Sequence, residues 1–391
     1  MSGHPQQIDG IHILTGEPIR LWIDAMGQIA KTERLTLQPN NKLDWLAPGL
    51  VDLQINGHGG IDLNTPALTV QAVKDITRKL WLEGVTTFCP TIITNNDDAI
   101  EQMVRTIAEA YSSDPLIARS IAGIHLEGPF ISPEDGARGA HGKQYVKAPD
   151  WELFQRWQHA AGGLIRIVTL SPEWDGAYEF IEKCARSGVI VSIGHTAASP
   201  EQIGRAVAAG ARMSTHLGNG AHLWLPRHPN YIWEQLAQEA LWTCAIADGF
   251  HLPASVLKVF MKAKGEQLML VSDAVYLSGL AAGEYETHIG GTVVLSPEGR
   301  LHMADNPGLL AGSAQMLTFG IDYLVRSGLC TEGHAWEMAS IRPARFMDLP
   351  VQHGLSVGAP ADLVLYNRQD GRISMQTVIK NGHRVECGDP G

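Results

Sequence analysis

No stretch of this chain approaches the ~18 consecutive apolar residues that a membrane-spanning helix needs. The first ten residues, MSGHPQQIDG, lack a basic segment leading into an apolar one, so no secretory signal is expected. Positive charge is scarce, with 30 Lys and Arg against 41 Asp and Glu, a formal net charge of −11. That balance disfavours nucleic acid or an anionic membrane as the main partner, although a local cluster of donors still suits a small anion. Cysteine is sparse too. Cys89, Cys184, Cys244, Cys330 and Cys387 are odd in number, scattered, and never in a C-x-x-C pair. This argues against a disulfide framework and for reduced thiols in a cytoplasm. Solenoid repeats and low-complexity linkers are also missing. The 391 residues are long enough for one large domain and a smaller one.

What the chain does contain is one unit repeated in form: a β-rich apolar run, a polar or Gly/Pro stop, then an amphipathic helical stretch. The runs are 50–56, 84–93, 121–128, 165–173, 189–196, 211–219, 242–251 and 267–275. Between them lie helix candidates such as TVQAVKDITRKLWLEG and DDAIEQMVRTIAEAY, with apolar residues at helical spacing. Alternation of this kind implies parallel strands with right-handed crossovers. Eight units predict a (β/α)8 TIM-type barrel over residues 50–350, with a doubly wound open sheet as the alternative. Segments 1–49 and 351–391 carry short strand-like pieces, and Asn381-Gly382 is a hairpin signal. Neither segment buries a core alone, so the two are expected to pair into a small β-sandwich. Residues 328–349 are expected to be helical and to close the barrel's side.

Polar residues gather where these runs end: Gln54, Asn56, Thr91, Glu127, Glu173, His195, His216, Asp248, His251 and Asp273. In a barrel those ends share one mouth, where active sites are built. Singly each has a structural explanation; Asp273 caps a helix, or Glu127 pairs with Arg138. Jointly they describe a site. A carboxylate on the last residue of a buried strand, in HLEGPF, needs a cation. One carboxylate with two imidazoles and open positions is a hydrolytic Zn²⁺ or Fe²⁺ arrangement. Asp273 is then left to move the water's proton. The Gly-rich segment 56–60 lacks the Lys-Ser/Thr of a phosphate loop and reads as a tight turn.

HLEGPF, GHT, THLGN, IADGFH and SDA, in that order and spacing between PGLVDLQINGHGGIDLN (48–64) and LAGSA (310–314), resemble the N-acetylglucosamine-6-phosphate deacetylase family of the amidohydrolase superfamily. The resemblance implies removal of acetate from an amino-sugar 6-phosphate, in a barrel with a β-sandwich. It implies Glu127, His195 and His216 as ligands of one divalent metal, Zn²⁺ first with Fe²⁺, Co²⁺ or Mn²⁺ as alternatives. Asp273 becomes the acid/base and His141 a catalytic neighbour of the amide carbonyl. Asn219, Gly220 and His251 would meet the sugar phosphate, and Arg227 would reach it from the other subunit of a homodimer. Two departures stand out. Gln54 and Asn56 occupy a position where many amidohydrolases use His-x-His for a second metal. The loop GNGAHLWLPRHPNYIWEQL (218–236) is longer and more aromatic than the usual Asn-Ala-Met type, with His222, Trp224 and His228 unusual. The alternatives are N-acetylgalactosamine 6-phosphate, or a cyclic amide on the same barrel.

Overall fold

The computed structural model describes residues 6–36, 42–287 and 291–385, so Cys387 lies outside the described residues. Eight strands form one parallel sheet in sequential order: β1 (Leu50–Ile55), β2 (Val85–Ile93), β3 (Ile124–Glu127), β4 (Ile165–Leu170), β5 (Ile190–Ile193), β6 (Ala211–Ser214), β7 (Trp242–Ala245) and β8 (Leu268–Leu270). Closure comes just beyond the last strand. Asp273 N–H donates to the Gln54 carbonyl at 3.0 Å and Asn56 N–H to that of Ala274 at 2.9 Å. The ring is thus a barrel, and its seam runs through three candidate site residues, Gln54, Asn56 and Asp273.

The strands read as apolar runs because both of their faces are covered. Every residue of β1, LVDLQI, is buried. On one side the interior stacks Val51, Leu53, Cys89, Ile167, Met213, Cys244 and Met269. Ala344, Phe346 and Met347 join that cluster, so the helix Ile341–Phe346 plugs the end of the barrel rather than closing its side. On the other side the outer helices dock. In Val70–Leu82 the Thr69 hydroxyl caps the first turn by accepting from Ala72 N–H, and Val73, Ile76, Leu80 and Trp81 turn inward at helical spacing.

The terminal segments do pair. Strands Gln6–His12, Pro18–Ile23, Ile29–Arg34 and Trp45–Pro48 share a seven-stranded sheet with Leu363–Gln369, Arg372–Lys380 and His383–Arg384. The sheet is continuous, and it curls. Ile29 N–H donates to Ala359 and Ala361 N–H to Gly27, bringing the edge at Ile29 back to the segment before Leu363 around a core of Ile8, Leu21, Leu46, Leu363 and Ile379. Asn381 and Gly382, with φ of 49° and 78°, make the expected hairpin. Lys380 Nζ, fully buried, donates to Asp362 at 2.6 Å and to the Arg119 carbonyl at 2.9 Å, which ties this sheet to a barrel helix. A further three-stranded antiparallel sheet, Gly283–Thr287, Gly291–Leu295 and Leu301–Met303, follows β8. The 56–60 segment is a tight turn as expected, pairing Gly57–His58 with Ile61–Asp62.

Candidate metal centre and catalytic site

Glu127 is the last residue of β3; His195 and His216 each lie two residues beyond the ends of β5 and β6. Asp273 lies three beyond β8. Only six non-glycine residues among those described have positive φ, and His195 (48°), His216 (25°) and Asp273 (50°) are half of them. Left-handed backbone is unfavourable for a residue with a Cβ and persists where its surroundings hold it. Here it turns each side chain off the strand axis and into the mouth.

The chains converge on one point. Glu127 Oε1 lies 3.2 Å from His195 Nε2 and 2.9 Å from His216 Nε2; the two nitrogens are 3.1 Å apart. His141 Nε2 stands 3.3 Å from His195 Nε2. Ligand atoms of Glu127, His141 and His195 all fall within 4.8 Å of one another, as a shared ion would require. Donors ~2.0–2.1 Å from a tetrahedral zinc are about 3.3 Å apart, so the spacing fits. So does the chemistry. His195 Nδ1 donates to the Ala137 carbonyl at 3.0 Å, so in the neutral ring Nε2 carries only a lone pair. That lone pair faces a carboxylate oxygen, an arrangement of two acceptors that a cation resolves.

Arg138 is not the partner of Glu127. Its guanidinium goes to Asp135 and to the carbonyls of Gly139 and His141. Burial would raise the Glu127 carboxyl, but the two imidazoles facing it outweigh burial and hold the group well below its usual range. For His216 burial is likewise outweighed, by Glu127, and the ring is pushed up to about 8. His141 goes the other way: burial first, then the neighbouring His195, push it down to about 3, so it stays neutral.

Around this cluster the amides hold carboxylates. Gln54 Nε2 donates to Glu127 Oε1 at 3.0 Å, and Asn56 Nδ2 to Asp273 Oδ1 at 2.7 Å. Burial and the Glu127 charge raise the Asp273 carboxyl above the ordinary carboxylate range. His251 Nδ1 pairs with Asp248 Oδ2 at 2.7 Å, and the His251 ring lies near enough to act on Asp273. Gly220 approaches the His195 ring so closely that a Cβ would sit 2.5 Å from Nδ1, which accounts for glycine in this loop. Asn219 folds back onto the His216 carbonyl. Arg227 is exposed on the loop and is not joined to the cluster by any of these bonds, nor are its exposed neighbours Leu223 and Trp224.

Two supports have no signal in the sequence. Thr94 Oγ1 sits 2.9 Å from His141 Nδ1. His125, two residues before Glu127, is a wholly buried brace between the Leu53 carbonyl and Thr169 Oγ1. Glu173 was visible as a strand-end acid, but its three partners come from separate loops.

Barrel, curled terminal sheet and a strand-end cluster of one Glu, several His and one Asp define an amidohydrolase. A profile described as "Amidohydrolase family" matches residues 45–385. The chain is 35% identical over 324 residues to the N-acetylglucosamine-6-phosphate deacetylase of Bacillus subtilis (strain 168), spanning 82% of this chain and 80% of that one. It is 31% identical to the Homo sapiens enzyme of the same name, over 94% and 92% of the two chains. Its fold is similar to that of an N-acetyl-D-glucosamine-6-phosphate deacetylase mutant from Mycobacterium smegmatis in complex with N-acetyl-D-glucosamine-6-phosphate, with a TM-score of 0.84 at 27% identity over 98% and 100% of the chains. The chain belongs to the N-acetylglucosamine-6-phosphate deacetylase family of the amidohydrolases.

Proposed function

We propose that this protein hydrolyses the N-acetyl group of N-acetylglucosamine 6-phosphate, releasing acetate and the free amino-sugar phosphate. Family membership supports the reaction, and one observation ties it to these residues: Glu127, His195 and His216 present three donor atoms to one point, beside a carboxylate that none of them uses. Glu127, His195 and His216 would hold one divalent ion, Zn²⁺ being the best match to two imidazoles and a carboxylate. Bound there, the ion supplies Lewis acidity toward the acetyl carbonyl and makes water more acidic.

The protein's own residues do the rest. Asn56 holds Asp273 by Oδ1, leaving Oδ2 to take a proton from the attacking water. Water oxygen bonds to the acetyl carbon, the C–N bond breaks, and the proton on Asp273 goes to the departing amine nitrogen. His141, neutral and buried, stands beside the carbonyl as an orienting group. Asn219, Gly220 and His251 line the sugar-phosphate side, and Arg227, from the second subunit of a homodimer, completes it. Gln54 and Asn56, being amides tied to carboxylates, keep the centre mononuclear. The same reading divides the chain at residues 49 and 350 and places the enzyme in the cytoplasm; no helix among the described residues is long and apolar enough to cross a membrane.

A panel of N-acetylated amino sugars, with and without 6-phosphate, assayed for acetate tests the proposal. N-acetylglucosamine 6-phosphate should have the highest kcat/KM. Preference for the unphosphorylated sugar or for a cyclic amide would overturn it.

A further inference from the structure

Glu173 lies three residues past the end of β4 and is partly buried. Its carboxylate accepts three bonds of 2.7 Å each, from Ser132 Oγ, Ser171 Oγ and the backbone N–H of Ala197. Such lengths suit charge-assisted bonds, and only a carboxylate has acceptor sites for three donors and nothing to donate. The donors belong to three different strand-end loops. Ser132 follows Glu127, Ser171 follows β4, and Ala197 follows His195.

The set is directional. With the Ser171 hydrogen committed to Glu173, the 2.7 Å contact between Ser171 Oγ and Thr196 Oγ1 must be donated by Thr196. Thr196 in turn accepts from Ala198 N–H at 3.0 Å. Ser132 meets the same loop again, its N–H donating to the His195 carbonyl at 2.8 Å. The His195 carbonyl, through Ser132, and the two residues after His195, directly or through one hydroxyl, are therefore fastened to Glu173. His195 itself sits at φ 48°. A backbone held in that region relaxes when its fastenings go.

We infer that Glu173 is a positioning residue for the metal centre: through Ser132, Ser171 and Ala197 it fixes the left-handed turn that aims His195 Nε2 at Glu127. The inference rests on the metal-site reading above. Second-sphere partners of this kind typically change metal affinity by 10–100-fold. In Glu173→Gln side-chain size is kept but the negative charge is lost, so the bonds from Ser171 and Ala197 weaken, and Ser132 Oγ must turn from donor to acceptor to meet the amide N–H₂.

The test measures Co²⁺ and Zn²⁺ affinity by chelator competition, the visible spectrum of the Co²⁺ form, and the urea midpoint of metal-free protein, in wild type, Glu173→Gln and Ser132→Ala. Wild type should bind close to one equivalent; failure there overturns the metal-site reading itself. Given that binding, Glu173→Gln should weaken affinity by about 10–100-fold and alter the Co²⁺ spectrum. Ser132→Ala, which removes one of three donors, should weaken it about fivefold, with a metal-free midpoint close to wild type. Affinities within twofold of wild type and an unchanged spectrum in the variants that fold would overturn the positioning role. So would a loss of affinity in Ser132→Ala that appeared only with a matching fall in the metal-free midpoint.

Discussion

Asp273 is held by one oxygen. Asn56 occupies Oδ1, the surrounding protein and Glu127 raise the carboxyl above its ordinary range, and the backbone is locked by the barrel seam at Gln54. A group so placed is pre-oriented and basic enough to take a proton and return it. The imidazoles divide by their surroundings. His195 is tautomer-locked by a carbonyl, His216 gains its strength from Glu127, and His141 rests on a hydroxyl. Asp273→Asn should therefore cut kcat by roughly 10²–10⁴ while leaving metal content unchanged. His216→Ala should lose most of the metal, and His141→Ala should keep it while losing activity. Elemental analysis beside steady-state kinetics checks all three. Metal lost from His141→Ala but retained by His216→Ala would exchange the roles of the two rings.

At the scale of elements, the seam and the long loop carry the most consequence. Asp52 lies inside the seam and accepts from the N–H groups of Gln54 and Ser272. Burial raises its carboxyl from 3.8 to about 7. A folded-state value above the unfolded one means ionisation opposes folding, so the cost is absent below pH 4, grows between pH 4 and 7, and is complete above. Asp52→Asn should flatten that decline, leaving stability near wild type at pH 4 and raising it by on the order of a few kcal/mol at pH 8. Urea midpoints across this range decide it; equal pH slopes in the two proteins would contradict it. The 218–236 loop bears an exposed Arg227 whose forked guanidinium suits a phosphate. Arg227→Ala should raise KM for the 6-phosphate substrate about 10–100-fold with little change in kcat. A purified heterodimer of Arg227→Ala with Asp273→Asn should regain up to about half of wild-type activity at low substrate, since one of its two sites is whole. No regain would mean that Arg227 serves its own chain's site or none.

For the molecule as a whole, strand order and the strand-end acids and imidazoles were legible because parallel strands covered on both faces write their burial into local composition. What was not legible depends on distance along the chain. Nothing local says that Leu363–Gln369 pairs with Trp45–Pro48, that Phe346 plugs the barrel's end, or that Gly283–Thr287, Gly291–Leu295 and Leu301–Met303 form a third sheet. The brace through His125 and the hub at Glu173 are hidden for the same reason, since a carboxylate's partners are chosen by loops far apart in sequence. The terminal sheet is bound to the barrel by buried Lys380, so the site's frame and the sheet are one structure. The central claim is that this frame assembles one hydrolytic metal site per chain. It is tested most directly by stripping the protein with a chelator, titrating Zn²⁺ back, and following acetate release from N-acetylglucosamine 6-phosphate. Activity should rise from near zero and level off at one equivalent per chain. Undiminished release from the stripped protein, or a rise continuing to two equivalents, would contradict it.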